Sequence, residues 1–419
     1  MKRRNILIVM LGLVVLSQLP FAYRRYRLAR LQKSIQQLES QRGAPPGESE
    51  FVDYQGVIHV HSALGGHSTG AFAELIGAAK ANQLDFVIMT EHPQAEFDTS
   101  AMTLSGVHAG ILFLNGNEVA TASGDRLLLI PGSADAASMS TQTTPEVIAK
   151  QKSAGGLTFV AYPTESQTLR SGSADGVEVY NLFTSAREYN AFLAVFDSVW
   201  SYRGYADLMF ANFFTRPTEN LKRWDEAMSV GRRKLVAIAG NDAHSNIGVS
   251  VNDASGKQWL GIKLDPYERS FRVVRTHVLI KKDKGLTREA LLEAIAQGHC
   301  YISFDLFADA RGFSFSATGA APEIMGDLII LEQGVNLKAS APLNCRFVLL
   351  KNGEMIDQKS GATADFAVSD FGNYRVEAYL DSVPEPAKGQ PWIISNPIYV
   401  LPNVFSGTSH PPSSLTKPQ

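Results

Sequence analysis

Two histidines one residue apart, His59 and His61, follow the apolar pair Val57-Ile58. Side chains on a strand alternate with a period of two, so both imidazoles project from one face at the strand's end. A pair of imidazoles aimed at one point is half of a divalent-metal site. Taken alone, His-x-His also arises from incidental surface or core histidines. The chain, however, supplies the same chemistry again. His67 follows in a glycine-containing loop. Glu91-His92 follows the apolar run 84–90, Glu118 follows the run 111–114, and Asp242-Ala243-His244 follows the run 235–239. Asp242 and His244 repeat the same-face spacing of the opening pair. Five of the nine histidines fall at such points; His108, His277, His299 and His410 do not. His277 sits in a valine-rich strand and reads as a satisfied core histidine. For Glu91, a helix-capping role stands beside a ligand role, and Glu118 has a lysine partner as its alternative.

These residues need a scaffold that brings strand ends together. Apolar runs at 84–90, 111–114, 157–161, 176–181 and 235–239 alternate with helical patterns at 72–82, 144–153 and 186–231. The helix at 144–153 is opened by Thr144-Pro145-Glu146. Strands alternating with helices predict a parallel α/β arrangement, and an α/β barrel builds its site just after its strands. Tyr162 stands at one such end, before Pro163. Arg126 and Arg170 fall in loops after strands and are candidates to hold an anionic substrate. Glycine-rich phosphate loops, calcium-type Asp runs and G-x-S-x-G are absent.

The remaining segments bound the setting. Residues 1–34 hold eight basic residues and no acid, leaving 31 basic against 41 acidic residues elsewhere. A body of that sign lacks the basic face that nucleic acid requires. Lys2, Arg3 and Arg4 precede an apolar run from Ile6 to about Phe21, the pattern of a cleaved signal peptide or a retained anchor; Pro20 at the −3 position of a cut after Ala22 favours a single uncleaved membrane anchor. The catalytic part is then expected on the periplasmic or extracellular side. Tyr26 to Gln41 reads as a polar juxtamembrane helix and Gly43-Ala44-Pro45-Pro46-Gly47 as a linker. Two cysteines, Cys300 and Cys345, make no disulfide framework. Residues 311–402 show short alternating strands and a Lys351-Asn352-Gly353-Glu354 turn, a β-sandwich pattern of immunoglobulin type. Trp392 reads as an interdomain anchor. The Pro/Ser-rich end, 403–419, is expected to be a disordered tail.

The motifs His59-Val60-His61 with His67, Thr90-Glu91-His92, Gly116-Asn117-Glu118 and Gly240-Asn241-Asp242-Ala243-His244 resemble those of the PHP (polymerase and histidinol phosphatase) superfamily over roughly residues 55–305. The run Pro391-Trp392-Ile393-Ile394-Ser395-Asn396-Pro397-Ile398-Tyr399-Val400 is similar to the ending of its carbaryl-hydrolase-like branch. The resemblance implies a distorted (β/α)7 barrel at 51–310, which with the anchor helix and linker read at 1–50 and the Ig-like sandwich read at 311–402 makes an α/β chain. It implies two or three divalent metal ions, with zinc, manganese and iron all compatible. By position, His59, His61, Glu118 and Asp242 would hold one ion, and His67, His92 and His244 another, with Glu118 bridging. The implied activity is phosphoester hydrolysis by a metal-bridging hydroxide on a small-molecule or polymer ester. Asp242 would be a ligand and proton shuttle. Carboxyl or carbamate ester hydrolysis and an inactive scaffold are the alternatives. Tyr162 replaces a family histidine that belongs to the third metal, which leaves two ions expected here.

Overall fold

A computed structural model describes residues 2–43, 49–187, 190–231, 233–252, 258–318, 323–331 and 335–402. The expected tail at 403–419 and most of the 43–47 linker lie outside the described residues. The chain is mixed α/β, with one large sheet and a long N-terminal helix.

The organising strand is Phe51–Val60. Its first half pairs antiparallel with Arg275–Lys281. Its second half pairs parallel with Phe86–Met89 on one side and Val236–Ala243 on the other. Gly56 is where the partners change, opposite Phe86 and Thr276. A Cβ there would lie 2.4 Å from the Phe86 ring, so only glycine lets this strand serve both neighbours. Ile111–Leu114 extends the parallel set beyond Phe86–Met89, and Gly176–Asn181 and Leu157–Ala161 extend it beyond Val236–Ala243. Two antiparallel strands, Arg126–Ile130 and Asn117–Ala120, continue from Leu157–Ala161. A bridge between Glu91 and Asn117 then closes the barrel. Strands at 111–114, 157–161 and 176–181 thus fall where the sequence pattern puts them. The antiparallel turn-back through 126–130 departs from strict strand–helix alternation.

Helices cover the outside. Thr144–Ser153 carries a capping box from Thr143 to Glu146 with proline in its first turn, which fixes where it starts. Arg288–Gln297 begins at the Thr287 cap and ends at Gly298, whose φ of 74° suits glycine. The helical stretch expected at 186–231 is broken. Helices Leu182–Arg187, Ala191–Tyr205 and Thr218–Gly231 flank a 3-10 turn at Asp207–Asn212, with Pro217 immediately before the last helix.

The C-terminal strands are stitched to the barrel. Ile393–Ser395 pairs with Cys300–Ser303, which pairs with Arg275–Lys281. Asn396 both donates to and accepts from the backbone of Ala237. Trp392 is buried and donates from Nε1 to the Ala308 carbonyl at 2.8 Å. Long strands Asn336–Lys351 and Glu354–Ala367 form a hairpin at Asn352-Gly353, both with positive φ, as the Asn-Gly turn dictates. Residue 310 is therefore not a break in hydrogen bonding, and one apolar core runs through both regions.

The N-terminal helix, Lys2–Gln41, has two halves. Large apolar residues from Ile6 to Leu19 are exposed, and the helix is long and apolar enough to cross a membrane. From Phe21 onward it is docked. Leu28, Leu31 and Leu38 are buried in the main core, and Arg24 forms a two-pronged pair with buried Asp197. The polar juxtamembrane helix expected at 26–41 is thus part of the folded body. Its leucines recur at helical spacing on one face, and that face decides its position.

Candidate metal centre

The ends of the parallel strands converge on one buried cluster. His59, His61, Glu118 and Asp242 offer ligand atoms that all lie within 4.8 Å of one another, and His61, His92 and His244 do likewise. Glu118 Oε2 lies 3.3 Å from His59 Nε2, 3.4 Å from His61 Nε2 and 3.5 Å from His92 Nδ1. Asp242 Oδ1 lies 3.5 and 3.4 Å from the same His59 and His61 nitrogens. One carboxylate thus reaches toward both groups.

The backbone is bent to achieve this. His59, Tyr162 and Asp242 all have positive φ, between 47° and 65°. For residues with a Cβ this region costs on the order of 1–3 kcal/mol each and persists where the surroundings over-determine it. Pairing registers shift beside His59 and Asp242 and within Gly176–Asn181 at the same level of the sheet. Such bulges re-aim side chains at the rims of barrels. Gly240 lets the strands close in, since a Cβ there would fall 1.5 Å from Glu178 Oε1.

Hydrogen bonds fix which nitrogen of each imidazole faces inward. His59 Nδ1 pairs with Glu178 Oε1 at 2.6 Å, turning Nε2 toward Glu118 and Asp242. His244 Nδ1 donates to the Asp242 carbonyl at 2.8 Å, which leaves the Nε2 lone pair for the cluster. Tyr162 donates to Asp242 Oδ2 at 2.9 Å, and Asn181 donates to both Glu178 and Asp242.

Charge in the cluster is unbalanced. Glu118, Glu178 and Asp242 are three buried carboxylates. Burial and the neighbouring His61 lower His92 to about 3 and His244 to about 4, so both are neutral near pH 7. Burial opposes a charge on His59, but Glu178, Asp242 and Glu118 outweigh it and raise its pKa. Burial also raises Glu178, so a proton is held between this pair. Burial would raise Glu118 and Asp242 as well, yet the adjacent His59 imidazole and its neighbours hold both low. Both ring nitrogens of His61 and Asp242 Oδ1 are buried without a hydrogen-bond partner. One His61 nitrogen and Asp242 Oδ1 are thus orphaned acceptors, and beside surplus negative charge these are costly unless a cation completes them. The donor set, imidazole with carboxylate, suits divalent zinc, manganese or iron.

The other site residues expected from sequence fall out unequally. His67 is exposed, with its ring centroid 4.8 Å from that of His92, and it lies outside both ligand groups. It lines the same cavity as His92 and His244, at the end of the 63–66 turn. Arg126, expected in a loop, instead opens the strand Arg126–Ile130 and lies at the rim, half-exposed, 3.4 Å from Glu118 Oε1. Arg170 is elsewhere: it pairs with Glu226 on the outer helix, since a loop position says nothing of which way the loop faces. Glu91 is not among the grouped ligand atoms; it accepts bonds from Ser62 N, Ser62 Oγ and Thr103 Oγ1 and so pins the loop after His61. Glu178 lies outside the sequence motifs that point to the site. Its signal was a lone carboxylate within a fully buried strand, which demands a partner. Above the cluster opens a cavity of about 960 Å³, lined in part by Gln94, Arg126, Glu165, Phe183 and Asn246.

No protein-family model matches the chain, and neither does any curated protein. Among solved structures it is similar to a two-domain protein from Bacteroides vulgatus containing a predicted PHP-like metal-dependent phosphoesterase. That match has 16% identity and a TM-score of 0.39, and it covers 84% of this chain and 98% of the other. It is also similar to PsfC from Pseudomonas syringae, at 12% identity and a TM-score of 0.36 over 60% of this chain and 92% of that one. Neither likeness is close enough to assign the chain to a family.

Proposed function

We propose that the protein is a metal-dependent hydrolase of ester bonds, foremost a phosphoesterase, carried on a PHP-type barrel and tethered by its N-terminal helix. The observation that carries this reading is the buried, unpartnered state of the His61 nitrogens and Asp242 Oδ1 amid three carboxylates. His59, His61, Glu118 and Asp242 would hold one ion, and His92 and His244 with His61 or Glu118 a second. Divalent ions held there supply Lewis-acid polarisation and water activation near neutral pH.

The chain's own groups do the positioning. Glu178 and the Asp242 carbonyl set the tautomers of His59 and His244. Tyr162 occupies Asp242 Oδ2, so that Oδ1 alone faces the cluster. Burial raises the Tyr162 phenol above its ordinary pKa, and the nearby Asp242 adds to the effect. The phenol therefore keeps its proton and acts as a donor rather than a ligand. Arg126 at the rim is placed to meet an anionic group as it enters. That feature favours a phosphoester over a neutral carboxyl or carbamate ester. The cavity volume suits a small molecule or one segment of a polymer.

Full-length protein in detergent, incubated with aryl phosphates and aryl carboxyl esters before and after chelation, tests this. Chelator-sensitive phosphate release that returns with zinc, manganese or iron is expected. Cleavage of carboxyl esters alone would shift the assignment to the alternative chemistry. Metal retention without cleavage of either class would leave a binding scaffold.

A further inference from the structure

The helix Ala191–Tyr205 crosses the N-terminal helix where the exposed apolar run ends. Phe196 stacks on Phe21 with ring centroids 4.7 Å apart, Asp197 holds Arg24, and Trp200 Nε1 donates to Gln18 at 3.0 Å. The run from Ile6 to Leu19 spans only about 20 Å of helix at 1.5 Å per residue, whereas a hydrocarbon core is about 30 Å thick. A bilayer centred on that run therefore reaches past Leu19 to the crossing helix. That helix presents Val195 and Val199, one turn apart on the same face and 58% and 77% exposed. Tyr23 and Tyr26 are exposed at the same level, Trp200 is half-buried there, and Arg203 is exposed near the helix's end. Aromatic rings, flanking arginines and a small apolar ridge are the composition of an element lying at the headgroup level.

We infer that Ala191–Tyr205 is a second membrane contact, with Val195 and Val199 set into the acyl–headgroup boundary of the bilayer that the N-terminal helix enters. This rests on reading that helix as a membrane span. The consequence is orientation. The helix Leu182–Arg187, which carries Phe183 at the cavity wall, precedes this element in the chain, and the docked half of the N-terminal helix reaches the same core. The docked N-terminal helix and this second contact together fix the tilt of the body over the membrane.

Cys300 and Cys345 are buried, so a single introduced surface cysteine takes a spin label selectively. Full-length Val199→Cys, Leu13→Cys and Met355→Cys are reconstituted in phosphatidylcholine–phosphatidylglycerol vesicles. Collision with oxygen is compared with collision with a water-soluble nickel complex. The oxygen-to-nickel ratio should be several-fold higher at Val199→Cys than at Met355→Cys, and in the direction of Leu13→Cys. If Val199→Cys matches Met355→Cys while Leu13→Cys is lipid-exposed, the span stands and the second contact is overturned. If all three are water-exposed, the span reading falls with it.

Discussion

Two buried clusters of histidine and carboxylate are built on the same strand, Phe51–Val60, at opposite ends. At its start, His277 Nδ1 lies 2.9 Å from Asp53 and 3.0 Å from the Tyr301 hydroxyl, and its Nε2 lies 3.4 Å from Asp305. Arg275 also holds Asp305, and Ser303 donates to it. Two carboxylates there meet two cations. At its end, three carboxylates meet one imidazole whose pKa is raised, that of His59, and ligand atoms of His61 and Asp242 have no partner. The first cluster satisfies its own charges as the chain folds it; the second leaves ligand atoms unpartnered, an arrangement compatible with bound metal ions. A buried histidine is thus diagnostic of a metal site by what its neighbours leave unsatisfied, not by its burial.

The sharpest break in this comparison is Asp242→Asn. It keeps the shape but removes the charge beside His59 and His61, and ester hydrolysis should fall to background while the denaturation midpoint holds. Steady-state assays beside chemical denaturation read both.

At the other end the effects should invert. His277→Ala removes the imidazole shared by Asp53 and Asp305, leaving Asp305 to Arg275 and Ser303 and Asp53 to Tyr301, and losing one partner of a buried pair costs about 3–5 kcal/mol. Equilibrium unfolding in urea should show that loss, while the protein that remains folded keeps its metal content.

The same contrast appears in pH. Burial opposes the charge on His277, but Asp53 and Asp305 outweigh it and raise its pKa to about 10. Between the unfolded value of roughly 6.5 and that folded value, the native state binds the extra proton. Its contribution is therefore full below about pH 6.5 and declines as pH rises through 10, at up to about 1.4 kcal/mol per pH unit. His277→Asn should flatten this alkaline slope in denaturation curves taken from pH 6 to 10. A slope unchanged by that substitution would assign it to another group.

How much of this was legible in the sequence follows from the same physics. His59 with His61, and Asp242 with His244, were legible because strand alternation converts spacing into a shared face. His277 was legible as a core histidine from its valine-rich strand. Arg170 was misread, because placement in a loop does not fix direction, and it turns outward to Glu226. His67 was expected as a ligand; it stands at the cavity wall beside His92 and outside the two tight ligand groups, since a loop position carries no alternation rule to fix its direction. The docked half of the N-terminal helix was hidden by polar composition, although Leu28, Leu31 and Leu38 carried the pattern of a buried stripe. The pairing of Asn396 with Ala237 joins residues far apart in sequence and had no local signal.

Smaller effects sharpen the second cluster from within. Glu178→Gln leaves His59 without the carboxylate that orients it, and metal affinity should fall by about 10–100-fold. Competition with a chromophoric chelator measures this. Tyr162→Phe removes one hydrogen bond to a charged group, and turnover should fall by about tenfold with metal content unchanged.

The most direct test of the central claim is metal stoichiometry by elemental analysis of the full-length protein beside its His61→Ala variant. The arrangement of ligands predicts two equivalents of a divalent transition metal in the native chain and a clear loss in the variant, with folding retained. A native chain that binds no metal above the variant's level, even after dialysis against zinc or manganese, would contradict it.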